Sequence, residues 1–316
     1  MLSAEAIEIA AAAPRPVAPA RHLPRHRGQL AWAALFVGPA VFGFLFFKLV
    51  PILASFVIAL TNWTVANTPS FVGSANFERL LADRLFWKSL GVTAYYAAFS
   101  VPASMAFALL LAMLLNQKLP GQRLFRTIFY LPSVMPVIVT SVLWLWMFNP
   151  DLGLLNALLA DIGLPKAHWI YSEGGAIPSL VFMSIWHVGP MMIIFLAGLQ
   201  GVPRTLYEAV EIDGGGALAR FRHVTLPMLT PTILFNLVIS TIGALQTFTQ
   251  SYVMTDGGPN NASLFMVFYI YRTAFKDTNM GYASALAWVL FVIIAAISFL
   301  LLKTSNRWVY YEGGNR

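Results

Sequence analysis

Cysteine is absent from the 316-residue sequence. Its absence excludes disulfide bonds, thiolate metal ligands and a cysteine nucleophile. It also excludes the small secreted domains that depend on disulfides for their stability. A protein of the bacterial cytoplasmic membrane would be compatible with this composition.

Charged residues are scarce. Asp, Glu, Lys and Arg make up 10% of the sequence, whereas hydrophobic residues make up 58% and the mean hydropathy is +0.70. Soluble domains have about 25% charged residues and about 45–50% apolar residues. Because so few charges cannot cover a water-facing surface of this size, membrane lipid must be the main solvent and an immediate partner.

Motifs for covalent chemistry are missing as well. The sequence contains no G-x-x-x-x-G-K-[ST] phosphate-binding loop. Residues 214–219 have the glycine spacing of a dinucleotide-binding motif, but they follow an amphipathic helix instead of the strand that this motif requires. The acidic residues Glu208, Glu211 and Asp213 have no histidine or cysteine nearby, so we interpret them as solvated helix carboxylates. We therefore predict no catalytic residue, no metal site and no cofactor in this chain.

The formal net charge of +7 does not indicate a nucleic-acid partner, because the cations lie at the ends of apolar runs. Residues 1–29, in which arginines alternate with prolines, are predicted to be a disordered basic tail. Segments on the side of the N-terminus hold most of the 20 lysines and arginines. Since positive segments stay in the cytoplasm, both termini are expected there, including a tail over residues 306–316.

Apolar runs long enough to cross a membrane predict an all-α protein with about six transmembrane helices in residues 30–305. A spanning helix needs about 20 mainly apolar residues. The first run is interrupted by Pro39, Lys48 and Pro51, so an irregular helix is expected there. The runs occupy residues 30–60, 89–115, 127–148, 178–200, 228–255 and 281–302.

The loop between the fourth and fifth runs, residues 201–227, has its own helical pattern. An amphipathic helix is predicted from Pro203 to the glycines that begin at Gly214, since glycine readily ends helices. A second helix with Leu218, Phe221 and Val224 on one face is predicted to stop before Pro227. Such a short loop has no partner for these apolar faces, which indicates an interface with another protein.

This loop resembles the EAA loop of ABC importer permeases, with the pattern E-A-A-x-x-D-G-A followed by F, a hydrophobic residue and L-P. Val210 and Gly215 stand where the family usually has alanine. The matching residues are Glu208, Ala209, Asp213, Gly214, Phe221, Val224, Leu226 and Pro227. Further segments that resemble the sugar and glycerol-phosphate uptake permeases are residues 131–156, 255–259 and 281–285.

The resemblance implies the fold of a type I ABC importer permease and the partners of such a subunit. These are a second homologous permease, a homodimeric ABC ATPase that binds ATP and Mg and hydrolyses the ATP, and an extracytoplasmic solute-binding protein. The EAA loop would dock on the ATPase. Glu208 would make the charged contact, while Ala209, Gly214 and Gly216 would allow close backbone approach. Phe221, Leu226 and Pro227 would fix the loop against the bundle.

A polar stripe in the fifth run is a candidate for the substrate path. Polar side chains that face lipid are costly, so the stripe should face either a watery path or neighbouring helices through hydrogen bonds. His187, in the fourth run, is a candidate for the same reason, or else a hydrogen-bonded histidine of the bundle. Ser100, Ser104 and Ala108 are interpreted as ordinary helix packing. The stripe consists of Asn236, Ser240, Gly243, Thr247 and Gln250, with Gln246 at its edge.

The predicted solute is a sugar or sugar-like polyol, with glycerol phosphate as a possibility. It is favoured by the resemblance and by tryptophans in the spans, among them Trp144, a further candidate for the substrate path. The alternative function is an ion-coupled secondary transporter. That class requires paired carboxylates within the membrane or an inverted repeat, and no acidic residue lies at the centre of a span.

Overall fold

A computed structural model describes residues 27–117 and 120–310, and within these residues the fold is helical. The described segments form no β-sheet, only two isolated bridges that pair Thr61 with Phe71 and Thr64 with Asn279. The predicted all-α class is confirmed. The chain divides into two compact units, residues 1–54 and residues 55–316.

The helices follow one another with short connections. In chain order they are α1 (Arg27–Phe44), α2 (Val50–Ala59), α3 (Ala75–Ala82), α4 (Arg84–Leu115), α5 (Gln122–Tyr130), α6 (Val137–Met147), α7 (Leu154–Asp161), α8 (Glu173–Ile185), α9 (Gly189–Gln200), α10 (Arg204–Ile212), α11 (Ala217–Arg220), α12 (Leu226–Met228), α13 (Thr230–Leu245), α14 (Met266–Tyr271) and α15 (Met280–Ser305).

Within residues 27–117 and 120–310, three helices are long and apolar enough to cross a membrane by themselves. Three further pairs of helices meet the same criterion when the two bent halves of each pair are taken together. The single helices are Trp32–Ala59, Arg84–Leu115 and Met280–Ser305. The bent pairs are Gln122–Val134 with Val137–Met147, Glu173–Ile185 with Gly189–Gln200, and Ala217–Met228 with Thr230–Leu245. Counted with each pair as one span, they give the six predicted spans. The fifth predicted run is interrupted, because α13 stops at Leu245, residues 247–248 are not helical, and helical structure resumes at residue 249 and continues to Thr255.

Four π-helical turns interrupt the helices. Two of them, Leu45–Leu49 and Phe221–Thr225, end two residues before Pro51 and Pro227. In each, the residue before the proline donates its N–H five residues back, from Val50 to Leu45 and from Leu226 to Phe221. A proline ring clashes with the carbonyl four residues earlier in a regular helix, and the wider turn moves that carbonyl away. The other two π turns are Ser251–Thr255 and Arg272–Lys276.

Helix α4 is the centre of the unit formed by residues 55–316, and it packs against α8, α9 and α13. Its second half forms one apolar core with α9 and Leu229, through side chains such as Leu111 and Phe195. Its first half forms another core with α8, the segment around Phe265 and the start of α15. The two cores mark the two ends of the bundle.

The ends of the described chain differ slightly from the prediction. Helix α1 begins at Arg27, inside the segment predicted to be a tail, while residues 1–26 lie outside the described residues. After α15, Tyr310 donates its N–H to the Thr230 hydroxyl over 2.8 Å, so the chain returns to the start of α13. Residues 311–316 of the predicted C-terminal tail lie outside the described part.

Candidate functional site

A central cavity of about 350 Å³ lies where α4, α8, α9 and α13 meet. It lies between the two apolar cores. It is lined by Tyr96, Ser100, Val101, Ser104, Val137, Met183, Ser184, His187, Val188, Met191, Ser240, Gly243, Ala244, Thr247 and Gln250. Among these described residues none carries a carboxylate, an ammonium or a guanidinium group, so the polar atoms of the wall are hydroxyls, amide groups and one imidazole.

Five residues of the predicted substrate path line this cavity: Ser240, Gly243, Thr247, Gln250 and His187. Ser240 and Gly243 lie on α13, Thr247 and Gln250 follow the break after Leu245, and His187 lies between α8 and α9. Asn236, on the same stripe, is buried and donates a hydrogen bond to the Thr232 carbonyl of its own helix. Its side chain therefore serves hydrogen bonding within the bundle and does not line the cavity.

Two residues of the predicted substrate path lie elsewhere. Gln246 is exposed and does not line the cavity, because it caps α13 at the break, where the helical period stops. Trp144 is only 5% exposed, and its ring packs against those of Phe148, Phe182 and Trp186 at 5.1–5.7 Å. Its indole lies in an aromatic core and does not line the cavity.

Helix α4 contributes a wall of the cavity that was not predicted from the sequence. Tyr96, Ser100 and Ser104 repeat at intervals of four and line the cavity, and Ser104 Oγ lies 3.3 Å from Ser184 Oγ. Interpreting the two serines as ordinary packing was therefore incomplete. A spacing of four residues predicts that Tyr96, Ser100 and Ser104 share one face of α4, as the helical period predicted for the polar stripe of the fifth run.

His187 lies at the bend of 49° between α8 and α9. Its Nε2 atom is 3.3 Å from the Thr140 hydroxyl, and its ring meets that of Trp186 edge-on. Pro190 at the start of α9 fixes the bend, since a proline is readily accommodated in the first turn of a helix. The break thus holds the imidazole at the cavity wall, where the Thr140 hydroxyl is a hydrogen-bonding partner.

The second candidate site is the coupling hairpin, residues 204–228. Pro203 caps α10, as predicted, and the helix ends in a Schellman motif. In this motif Gly215 donates to the Val210 carbonyl and Gly214, with φ of +77°, donates to that of Glu211. A Cβ at Gly215 would lie 2.5 Å from Val210 Cγ1. Val210 and Gly215, the two residues that differ from the alanines of the family pattern, therefore pack against each other.

Side chains hold the two arms of the coupling hairpin together. Glu211 forms an ion pair with Arg220, and the Tyr207 hydroxyl lies 3.1 Å from that of Thr225. The second arm was predicted to stop before Pro227. In the structure it continues through the π turn to Met228. That turn rotates the arm, so Leu218 is 77% exposed while Val224 is buried.

The predicted docking residues mostly lie on the open surface of the hairpin. Glu208, Ala209, Asp213, Gly214, Gly216 and Leu226 are exposed, while Phe221 and Pro227 are half-buried. The most exposed large apolar side chains of the hairpin are Ile212, at 86%, and Leu218. Both belong to the apolar faces predicted to form an interface, although neither was given a specific role in the contact with the ATPase.

A half-buried carboxylate at the start of α4, Asp83, was also missed. It accepts hydrogen bonds from the hydroxyls of Tyr269 and Tyr282, the latter over 2.6 Å, and from the Leu85 N–H over 2.8 Å. Burial alone would raise the pKa of Asp83, but the hydrogen bonds from Tyr269, Tyr282 and the backbone outweigh it and lower that pKa. Burial and the neighbouring Asp83 raise the pKa of Tyr269.

Comparisons with known proteins agree with this architecture. Residues 104–309 match the family described as "Binding-protein-dependent transport system inner membrane component". The "Probable ABC transporter permease protein YesP" of Bacillus subtilis is 40% identical over 282 residues, which cover 88% of this chain and 91% of that protein. The "Lactose transport system permease protein LacF" of Rhizobium radiobacter is 37% identical over 84% of this chain and 91% of that protein.

A solved structure shares the fold. It is a crystal structure of a bacterial alginate ABC transporter in complex with an alginate pentasaccharide-bound periplasmic protein. One of its chains superposes with a TM-score of 0.78 and 23% identity over 89% of this chain and 95% of its own length.

Proposed function

Because this chain belongs to the family of binding-protein-dependent transport system inner membrane components, it is a permease subunit of an ABC importer, and we propose that its solute is a neutral saccharide. One observation carries this proposal: the described residues that line the central cavity offer hydroxyl, amide and imidazole groups and no charged side chain. These groups can donate and accept hydrogen bonds, as the hydroxyls of a sugar require.

An anionic solute fits the cavity poorly. A phosphate or carboxylate taken from water loses several kcal/mol of hydration, and a buried charge is normally matched by a cation. Among the residues that the structure describes, no lysine or arginine lines the cavity to provide one. Its volume of about 350 Å³ lies at the small end of ligand pockets. We therefore favour a small neutral saccharide over glycerol phosphate.

The subunit would work in an assembly in the bacterial inner membrane, with both termini in the cytoplasm. A second homologous permease would complete the pore, and an extracytoplasmic binding protein would deliver the solute. ATP, with Mg, would be bound and hydrolysed by a homodimeric ATPase, since this sequence has no phosphate-binding loop. Names of relatives such as the lactose permease and the "Arabinooligosaccharides transport system permease protein AraP" support a sugar as the solute.

The coupling hairpin would transmit movement of the ATPases to the cavity. Its arms are joined by the Glu211–Arg220 ion pair and the Tyr207–Thr225 contact, so it can move as one body. Its second arm leads through Met228 into α13, which carries Ser240 and Gly243 of the cavity wall. A shift of the docked hairpin would therefore reorient one wall of the cavity. The break after Leu245 is where such a discontinuous helix can yield.

Uptake by the reconstituted importer tests this proposal. In proteoliposomes with its permease, ATPase and binding-protein partners, wild type should take up a neutral saccharide only when ATP is supplied. Gln250→Leu should raise the KM of uptake about five-fold, since one hydrogen bond contributes about 1 kcal/mol. Gln246→Leu is the matched control in the same break, and it should leave KM unchanged.

Two outcomes would overturn the proposal. Equal uptake of a neutral and a phosphorylated sugar would show that the uncharged cavity does not select the solute. Uptake that needs an ion gradient instead of ATP would favour the secondary transporter.

A further inference from the structure

Four aromatic rings that neither the central cavity nor the coupling hairpin includes form a continuous row. We name Phe248, Tyr252, Tyr271 and Phe275 the aromatic ladder. The ring centroids of Phe248 and Tyr252 are 5.3 Å apart, those of Tyr252 and Tyr271 5.3 Å, and those of Tyr271 and Phe275 5.2 Å. Each ring therefore touches the next, from the break after α13 to the π turn after α14.

The ladder stands on a buried support but is open on its other side. Phe268 is fully buried and lies 6.1–6.3 Å from the rings of Phe248, Tyr252 and Tyr271. In contrast, Tyr252 is 44% exposed and Phe275 is 65% exposed. Core packing explains the support but leaves the exposed faces without a role.

The two ends of the ladder have different surroundings. Phe248 follows Thr247, which lines the central cavity, and Tyr252 lies two residues after Gln250. At the other end Phe275 precedes Lys276, whose Nζ is 2.8 Å from Asp256 Oδ1. This end adjoins the start of α15, whereas the far end of α15 leads to the contact between Tyr310 and the base of the coupling hairpin. The ladder therefore runs from the cavity toward the end of the bundle remote from the hairpin.

We propose that the aromatic ladder is a binding track along which a saccharide moves between the remote end of the bundle and the central cavity. The proposal rests on the saccharide function proposed above. Sugar rings have apolar C–H faces that pack on aromatic rings, and the tyrosine hydroxyls and the Lys276–Asp256 pair can bond the sugar hydroxyls. Several weak, adjacent contacts suit a track, because a solute must leave each position as readily as it enters.

The track can be tested by removing rings while keeping apolar volume. Tyr252→Leu and Phe275→Leu, together in the reconstituted importer, should lower saccharide uptake about three- to ten-fold at limiting solute and leave the rate at saturating solute unchanged. Phe275→Tyr keeps the ring and should behave as wild type. Phe235→Leu is the matched control, since Phe235 is an exposed aromatic residue, at 54%, outside the ladder.

The remaining outcomes separate the possible errors. If Gln250→Leu raises KM and the ladder variants have no effect, the ladder proposal alone is wrong. If Gln250→Leu leaves KM unchanged while the ladder variants lower uptake at limiting solute, the proposed role of the central cavity is wrong. The ladder then binds a solute whose identity must be determined separately. If the ladder variants lose the second permease on purification, or lose uptake at limiting and saturating solute alike, the ladder is an interface or a structural element and the track is disproved.

Discussion

At the scale of single residues, the contact between Val210 and Gly215 explains two departures from the EAA pattern together. Alanine at position 215 would bring a Cβ within 2.5 Å of Val210 Cγ1 and 2.9 Å of the Val210 carbonyl oxygen. The larger residue on α10 thus requires the smallest one at the turn. Neither departure can be interpreted without the other.

Gly215→Ala should destabilise the coupling hairpin by about 1–3 kcal/mol, the usual cost of overpacking. The double variant with Val210→Ala should regain part of that loss, because the clash with Val210 Cγ1 disappears while the Val210 carbonyl oxygen stays 2.9 Å from the new Cβ. Amide hydrogen exchange of the hairpin measures this local stability. Gly216→Ala is the control, since nothing lies within 4 Å of a Cβ there. Strictly additive effects of the two changes would show that the residues do not interact.

At the scale of secondary-structure elements, the coupling hairpin must carry a larger free energy than one ion pair supplies. Shifting a two-state transporter from 1:99 to 99:1 needs about 5.5 kcal/mol of differential interaction. An exposed ion pair such as one at Glu208 supplies about 0.2–1 kcal/mol. Burying an isoleucine or leucine side chain supplies about 1.5–3 kcal/mol. Ile212 and Leu218, the most exposed large apolar residues of the hairpin, are therefore expected to supply most of the docking free energy.

Ile212→Ala and Leu218→Ala should each weaken ATPase binding about ten-fold, and Glu208→Gln at most about five-fold. The measurement is the affinity of the detergent-solubilised permease for its ATPase partner. Leu152, which is 79% exposed and lies outside the hairpin, provides the control Leu152→Ala. A larger loss of affinity with Glu208→Gln than with either apolar substitution would show that the charged contact supplies most of the docking free energy.

At the scale of the whole molecule, Asp83 joins segments that are far apart in the sequence. Its partners Tyr269 and Tyr282 follow it by 186 and 199 residues. They tie the start of α4 to α14 and α15 at the end of the bundle remote from the hairpin. Since α4 also forms a wall of the central cavity, this carboxylate fixes the position of that wall.

Asp83→Asn should lower the free energy of unfolding at pH 7 by about 1.5 kcal/mol, the lower value for hydrogen bonds to a charged group. Because the folded state lowers the pKa of Asp83, its stabilisation is present above the ordinary value of 3.8 and is lost as the pH falls further. The difference between wild type and variant in thermal unfolding should therefore shrink in acid. Glu78→Gln, at an exposed carboxylate, should change little, and a difference constant with pH would contradict this account.

Some of this architecture follows from local pattern and some does not. The apolar runs predict the spans because length and hydropathy are local properties, and Ser240 and Gly243 share a face because the helical period holds between them. The period could not place Gln246, where the helix breaks, and composition could not show that Trp144 belongs to an aromatic core. The contacts of Asp83 join residues too distant in sequence for any periodicity to pair them.

The π turns bear on how this chain can be aligned with its relatives. Each holds one residue more than a regular helical turn, so a relative that lacks that residue can keep both flanking helices in the same orientation. Single-residue gaps between homologues are therefore expected at Leu45–Leu49, Phe221–Thr225, Ser251–Thr255 and Arg272–Lys276, and not elsewhere within the helices. At the first two, a shorter relative should also lack the proline that follows, because the wider turn and the proline are needed together.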